Sequence, residues 1–236
     1  DPRTKMLFLC NPHNPVGRVW SKTELAQLGS ICRKNGVVVV SDEIHADITF
    51  QDHTYTPFAS ISDADAQNSI TCLSPAKSFN IAACCGAFTV VSDENRRNVL
   101  KAENSRLTVN KNNAFASVAM EAAYKDGGPW LDSAITYIEG NLSLVRACLS
   151  DIPEVSLIEP EGTFLLWLDF RNLGLQPHEL TQFLRSEAGW AITRGIAFGD
   201  SGAGFGRLNI ACPRARLEKA LDRLVHAIST TRDASK

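Results

Sequence analysis

Residues 37–45 read VVVVSDEIH, and this stretch decides the fold class. Four consecutive valines favour a strand, and a run without any polar residue is typical of a strand that is buried on both faces of a sheet. The run stops at Ser41-Asp42-Glu43, so polar residues follow the strand directly. This pattern predicts a sheet of the α/β class, in which ligands bind at the carboxyl ends of the strands.

Three further strands are predicted, one before this stretch and two after it. Short apolar runs occupy residues 7–10, 70–73 and 87–91. Between the first run and the valines, Ser21 and Glu24 have the spacing of a capping box, which predicts that a helix begins there. Strands that alternate with helices favour a largely parallel sheet whose strands are joined by helical crossovers.

The pattern changes at Gly127. Beyond it, apolar residues recur at spacings of three and four, which predicts one long amphipathic helix whose inward residues are Leu131, Ile135, Ile138, Leu142, Val145 and Leu149. The elements expected after it are strands at 163–168 and 207–210 and helices that begin near Pro177 and Pro213. We therefore predict two domains, a large one over residues 1–126 and a smaller α+β domain over residues 127–236.

The composition excludes several classes of function. The 236 residues include 24 Lys and Arg and 26 Asp and Glu, so the net charge is −2 and a nucleic-acid or polybasic membrane surface is not expected. Apolar residues make up 44%, enough for a sizeable core, and no apolar run approaches the ~20 residues of a membrane span. The seven cysteines show no CxxC spacing, which argues against a metal site or a disulfide scaffold and favours the reducing cytoplasm.

Polar residues at three strand ends form the candidate site. Asn14 follows the first strand, Asp42 follows the valines, and Ser74 and Lys77 follow the third strand. Because the carboxyl ends of parallel strands meet at one edge, an amide, an acid and an amine are expected to face one crevice. Each residue also has an ordinary structural alternative, as a turn residue, a helix cap or a solvated surface group.

Four segments in this order resemble the motifs of the fold-type I pyridoxal phosphate (PLP) enzymes. Residues 11–18 (NPHNPVGR) resemble their NPxNPTG segment, residues 41–45 (SDEIH) their next motif, and residues 74–80 (SPAKSFN) their SxxKxFN lysine motif. Residues 206–209 (GRLN) lie near the C-terminus. The spacings match too: Asp42 lies 28 residues after Asn14 and 35 before Lys77. The chain is most similar to the MalY/PatB-like group, the cystathionine β-lyase and C–S lyase branch of the class I/II aminotransferases.

The resemblance implies roles for three residues around the cofactor ring. Lys77 would hold PLP as a Schiff base and, once displaced by substrate, would move the Cα proton. Asp42 would pair with the protonated pyridine nitrogen and keep the ring an electron sink. Asn14 would hydrogen-bond the phenolic oxygen of the ring.

The resemblance also implies roles for three further residues. Ser74 would donate to the phosphate, His45 would stand where many aminotransferases have a tyrosine that touches the ring oxygen, and Arg207 would bind the substrate α-carboxylate. His45 has the alternative of a packed neutral imidazole. Asn209 could support a neighbouring site residue or be only an ordinary strand residue. Many relatives have a phosphate-binding arginine eight residues after the lysine, whereas this chain has Cys85; we expect the Cys84-Cys85 pair to be buried packing.

The expected function is therefore that of a PLP-dependent C–S β-lyase, which converts cystathionine or a related cysteine derivative to pyruvate, ammonia and a thiol. An aminotransferase is the first alternative, because the same residues serve both reactions. A regulatory protein on the same fold is the second alternative. The resemblance further implies a homodimer with a small amino acid as substrate, and a chain that corresponds to the C-terminal two-thirds of such an enzyme.

Overall fold

The computed structural model describes residues 1–109 and 113–234. The strands in these residues are β1 (Met6–Cys10), β2 (Val38–Asp42), β3 (Ser69–Leu73), β4 (Phe88–Val90), β5 (Ser156–Ile158), β6 (Leu165–Asp169), β7 (Thr193–Arg194) and β8 (Phe205–Asn209). The α-helices are α1 (Lys22–Lys34), α2 (Asp63–Gln67), α3 (Pro75–Ser78), α4 (Glu94–Arg106), α5 (Ala114–Asp126), α6 (Gly128–Leu149), α7 (Pro177–Gln182) and α8 (Arg214–Ala234). The predicted mixture of strands and helices is confirmed.

Contacts divide the chain into two compact units. The first consists of residues 1–14, 18–135 and 161–163, and the second of residues 15–17, 136–160 and 164–236. The sequence-based division at Gly127 into two domains stays a prediction, because a compact unit is defined by contacts and a domain by its ability to fold alone.

The sheet of the first unit has the strand order β1-β2-β3-β4. β2 pairs with β1 and with β3 in parallel, whereas β4 runs antiparallel to β3. The largely parallel sheet is thus confirmed, with one reversed strand at its edge. Since three strands point the same way, their carboxyl ends lie at one edge of the sheet.

Helix α1 forms the predicted crossover from β1 to β2. The Ser21 Oγ accepts from the Glu24 N–H (3.3 Å), and the Glu24 carboxylate accepts from the Ser21 N–H (3.0 Å), so the capping box is confirmed. Leu25 on this helix packs with Val39 of β2, and neither side chain is exposed to solvent. The prediction that the valine run is buried on both faces is wrong in the described chain, because Val38 and Val40 are only half-buried while Val39 is fully buried.

The second unit contains an antiparallel sheet of order β5-β6-β8-β7. Its long helices agree with the predicted periodicity. On α8 the side chains of Leu217, Leu221, Leu224 and Ile228 are all buried, and on α6 those of Ile138, Leu142, Val145 and Leu149 are buried as well. Pro177 occupies the first turn of α7, as expected. Within residues 1–109 and 113–234, no helix is both long and apolar enough to span a bilayer.

Candidate functional site

The candidate site lies at the carboxyl edge of the first sheet. The strand pairing sets Asp42, the last residue of β2, between Cys10 of β1 and Cys72 of β3. Neighbouring strands are about 4.8 Å apart, so these three side chains form one row on one face of the sheet. Ser74 follows β3 directly, and Lys77 comes one helical turn later. The structure therefore brings Asp42, Ser74 and Lys77 to the same edge.

Asp42 is the charged member of this row. Its Oδ1 accepts a hydrogen bond from the Ile44 backbone N–H (3.3 Å), and its carbonyl accepts one from the Asn11 N–H (3.0 Å). Burial raises the pKa of the Cys10 and Cys72 thiols, and the negative charge of Asp42 raises both further. Both thiols are consequently neutral at neutral pH, and the carboxylate of Asp42 is free of a competing charge from either neighbour.

The turn after β1 is built around Asn11, which the sequence reading did not single out. Asn11 is completely buried: its Nδ2 donates to the carbonyl of Thr56 (3.1 Å), and its Oδ1 accepts from the N–H of Trp20 (3.1 Å). These bonds hold the turn that leads to the half-buried Asn14. An asparagine directly between an apolar strand and a proline was the available signal for this structural role.

Lys77 lies on the four-residue helix α3 and is exposed to solvent. Ser74 caps this helix. Its Oγ accepts a hydrogen bond from the Ala76 N–H (3.1 Å) and donates one to the Gly86 carbonyl (2.6 Å). Ser74 therefore shapes the turn that presents Lys77, and a direct role toward a phosphate stays a prediction.

Glu43 is a second carboxylate that the sequence reading left without a role. It is 1% exposed and accepts hydrogen bonds from three donors, which are the Ser41 hydroxyl (2.6 Å), the Phe58 N–H (3.0 Å) and the Tyr55 hydroxyl. Burial is the largest cause of the raised pKa of Tyr55, and the charge of Glu43 adds to it. Glu43 thus fastens the loop of residues 55–58 beneath the end of β2, next to Asp42.

His45 lies in the turn after Glu43 and is 2% exposed. Its carbonyl accepts the Ile48 N–H (3.0 Å), so the residue belongs to a tight turn at the edge where Asp42 stands. Deep burial agrees with the alternative of a packed imidazole, and the expected contact with a cofactor ring stays a prediction.

The prediction that the Cys84-Cys85 pair packs in the interior is wrong. Cys85 is exposed and Cys84 is half-buried, and both are free thiols. Cys85 has a φ of +52° and ends the short 3-10 turn Ala82–Cys84. The turn geometry, rather than packing, thus determines where this pair lies.

In the second unit, Arg207 on β8 is half-buried among polar and aromatic partners. Its Nη2 donates to Thr193 Oγ1 (3.3 Å), and its guanidinium lies 5.2 Å from the centroid of the Phe198 ring. Burial lowers the pKa of Arg207, but arginine remains charged at neutral pH. Asn209 is exposed at the end of β8, and its Oδ1 accepts the Ala211 N–H (2.8 Å), which agrees with the alternative of an ordinary strand residue. The role of Arg207 toward a substrate stays a prediction.

Comparison with known proteins identifies the family to which this chain is similar. Residues 1–224 match the family described as aminotransferase class I and II. Cystathionine β-lyase PatB of Bacillus subtilis (strain 168) is 44% identical over 230 residues, which are 97% of this chain and 59% of that protein. Protein MalY of Escherichia coli (strain K12) is 35% identical over 98% of this chain and 59% of its own length.

A solved structure agrees with the sequence matches. A PLP-bound protein of Clostridium difficile 630, described as a candidate aminotransferase, superimposes with a TM-score of 0.92 at 44% identity, over 95% of this chain and 58% of its own. The fold is therefore that of the fold-type I PLP-dependent transferases. The chain spans 59% of the length of these two curated relatives.

Proposed function

The chain belongs to the aminotransferase class I and II family, and from this premise we propose that the protein is a PLP-dependent C–S β-lyase. The observation that supports PLP as the cofactor is the placement of Asp42 and Lys77 at the same edge of one sheet. The choice of a lyase is supported by the 44% identity to PatB, a protein named for cystathionine cleavage. The substrate class is then cystathionine or a related cysteine derivative.

The residues at the sheet edge fit PLP in their chemistry. Asp42 is a carboxylate between two neutral thiols, suited to holding a proton on the pyridine nitrogen. Lys77 is an exposed amine, accessible for a covalent bond to an aldehyde. Asn14 and His45 are the proposed neighbours of the ring oxygen, and Ser74 is a proposed phosphate ligand.

The bound cofactor supplies an electron sink for the pair of electrons released at the substrate Cα. Lys77 removes the Cα proton and is the base and acid of the cycle. Arg207 holds the substrate α-carboxylate through its planar guanidinium, which matches two oxygens at once. The Cβ–S bond then breaks, the sulfur leaves as a thiol, and water completes the conversion of the remaining fragment to pyruvate and ammonia.

The test is release of pyruvate and thiol from cystathionine and from S-substituted cysteines by the protein expressed from its complete reading frame. Lys77→Ala should abolish both products and the visible absorption band that PLP gives with the wild-type protein. Lys101→Ala removes an exposed lysine of α4 and is the matched control, with unchanged turnover. Absence of pyruvate from every such substrate, with PLP bound, contradicts the lyase.

An aminotransferase is the second candidate, and the family description and the solved structure of the Clostridium protein favour it. The residues named above would serve amino transfer equally well, because Lys77 would again be the group that moves the proton and the cofactor would again supply the electron sink. Transfer of an amino group to 2-oxoglutarate, without pyruvate release, would select this function. A purely regulatory role is excluded by any turnover that Lys77→Ala abolishes.

We further propose that the protein acts in the cytoplasm as a homodimer. All seven cysteines are free thiols, as suits a reducing compartment. The dimer is implied by the resemblance to enzymes whose sites lie between subunits. Light scattering on the complete protein tests it, and a monomeric mass with full turnover contradicts it.

A further inference from the structure

We propose that Asp47 is a positioning residue for Lys77 and acts through a hydrogen bond to Ser78. The inference deepens the proposed function, since it rests on Lys77 being the residue that binds PLP. Asp47 does not itself need to touch the cofactor or the substrate.

The bond connects the two segments that carry the candidate site. Ser78 Oγ donates to Asp47 Oδ2 at 2.6 Å, across 31 residues of sequence. Asp47 belongs to the turn that follows β2 and Asp42, whereas Ser78 is the last residue of α3 and directly follows Lys77. Ser78 is 3% exposed whereas Asp47 is exposed, so the donor hydroxyl is shielded from water and depends on Asp47 for a partner, while the carboxylate is also open to solvent.

Helix α3 needs such an anchor. It has four residues, and a single turn of helix forms too few backbone bonds to be stable alone. Its orientation must therefore come from contacts with the rest of the unit, and the exposed Lys77 has little packing of its own to fix its direction.

Phe79, the residue that directly follows α3, makes aromatic contacts. Its ring stacks on Trp130 with centroids 6.2 Å apart and meets Tyr124 edge-on at 5.8 Å. Gly127 makes room for it, because a Cβ there would lie 2.6 Å from Phe79 Cε1. The Ser74–Gly86 bond holds the N-terminal end of α3, and the Asp47–Ser78 bond holds its C-terminal end, next to Lys77.

The charge of Asp47 is separable from its role as an acceptor. Asp47 lies near two phenols: burial and its negative charge raise the pKa of Tyr124 to about 12, and it contributes to the raised pKa of Tyr55. Asparagine keeps an oxygen that accepts from Ser78 and removes the charge. Asp47→Asn therefore distinguishes the two roles.

The experiment measures Lys77 directly. In the complete, cofactor-free protein, the acetylation rate of Lys77 by acetic anhydride is followed by mass spectrometry of its peptide, and PLP affinity is measured by absorbance titration. The variants are Ser78→Ala, Asp47→Ala, the double variant and Asp47→Asn. Ser60→Ala is the matched control, because Ser60 also donates from a side chain, to the Pro57 carbonyl, and is exposed.

Loss of the bond should free α3. Ser78→Ala and Asp47→Ala are each expected to speed Lys77 acetylation and to weaken PLP binding by about three- to tenfold, the size of one hydrogen bond. The double variant should be no worse than either single variant, because both remove the same interaction. Asp47→Asn should lie closer to the wild type than to Asp47→Ala, because its amide oxygen still accepts, though more weakly than a carboxylate. Ser60→Ala should match the wild type, and circular dichroism confirms that each variant is folded.

Additive effects of the two alanine variants, or wild-type acetylation in Ser78→Ala, overturn the proposal. An Asp47→Asn variant that behaves like Asp47→Ala also overturns it, because charge would then be the cause. If the wild type fails to bind PLP, the proposed function is refuted instead, and the acetylation rates still decide whether the bond positions Lys77.

Discussion

The Glu43 carboxylate gives the sharpest prediction about stability. Glu43→Ala removes the acceptor of three hydrogen bonds at a site that is 1% exposed. Two of the donors, the Ser41 hydroxyl and the Phe58 N–H, are fully buried and cannot turn to water, whereas Tyr55 reaches the open cleft it helps to line. The cost should therefore come mainly from two buried donors.

The magnitude follows from those two donors. A buried donor without a partner costs about 1–3 kcal/mol, so two of them cost about 2–6 kcal/mol. Removing the buried carboxylate recovers part of this, because its own desolvation is unfavourable. We expect the free energy of unfolding to fall by about 3 kcal/mol in Glu43→Ala. Glu43→Gln keeps an acceptor oxygen at the same place and should lose only about 1 kcal/mol.

Urea unfolding followed by far-ultraviolet circular dichroism measures this difference. Equal slopes for the variants are required, so that midpoints report stability. Glu103→Ala is the control, since Glu103 is exposed and pairs with the nearby Arg106 at the surface; its midpoint should stay close to wild type. Equal losses in Glu43→Ala and Glu43→Gln would refute the reasoning, because the buried donors would then not be the source of the cost.

Three more predictions address packing, pH and substrate binding. Gly127→Ala should destabilise the protein by about 1–3 kcal/mol in urea unfolding, because the new Cβ meets Phe79, and a gain in stability would contradict this. The pKa of Tyr124 is raised to about 12 in the folded protein, from the usual 10, so the folded state favours the neutral phenol. The resulting stabilisation should be complete below pH 10 and be lost as the pH rises toward 12. Melting temperatures measured over this pH range, with Tyr124→Phe as the control, check the sign. Thr193→Val removes the hydroxyl that accepts from Arg207 and should raise KM about threefold with kcat retained; a fall in kcat alone would contradict a role in carboxylate binding.

The elements with local signals were predictable from the sequence. Ser21 and Glu24, which form a capping box, are only three residues apart in the sequence. The buried faces of the long helices α6 and α8 are indicated by the three- and four-residue spacing of their apolar residues. The end of β3 at Leu73 was also predictable, because Ser74 and Pro75 follow the apolar run directly, whereas β2 continues two residues beyond the valines to Asp42.

What escaped prediction depends on residues far apart in the chain. The sequence near Ser78 does not indicate that its hydroxyl donates a hydrogen bond to Asp47. The sequence near Glu43 likewise does not indicate that its carboxylate accepts hydrogen bonds from the Tyr55 hydroxyl and the Phe58 N–H. The reversed direction of β4 also escaped, since an apolar run carries no sign of its direction. The Cys84-Cys85 pair was misjudged because cysteine is usually buried, whereas here a turn exposes Cys85.

The stack of Phe79 on Trp130 gives the protein an optical reporter of its own. Trp130 is 52% exposed, so its emission responds to changes in its surroundings, and its ring touches the residue two positions after Lys77. The other three tryptophans are Trp20, Trp167 and Trp190, and replacing them with phenylalanine would leave a single fluorophore beside α3. Movement of the lysine-bearing helix, on cofactor binding or during turnover, could then be timed in the unlabelled protein.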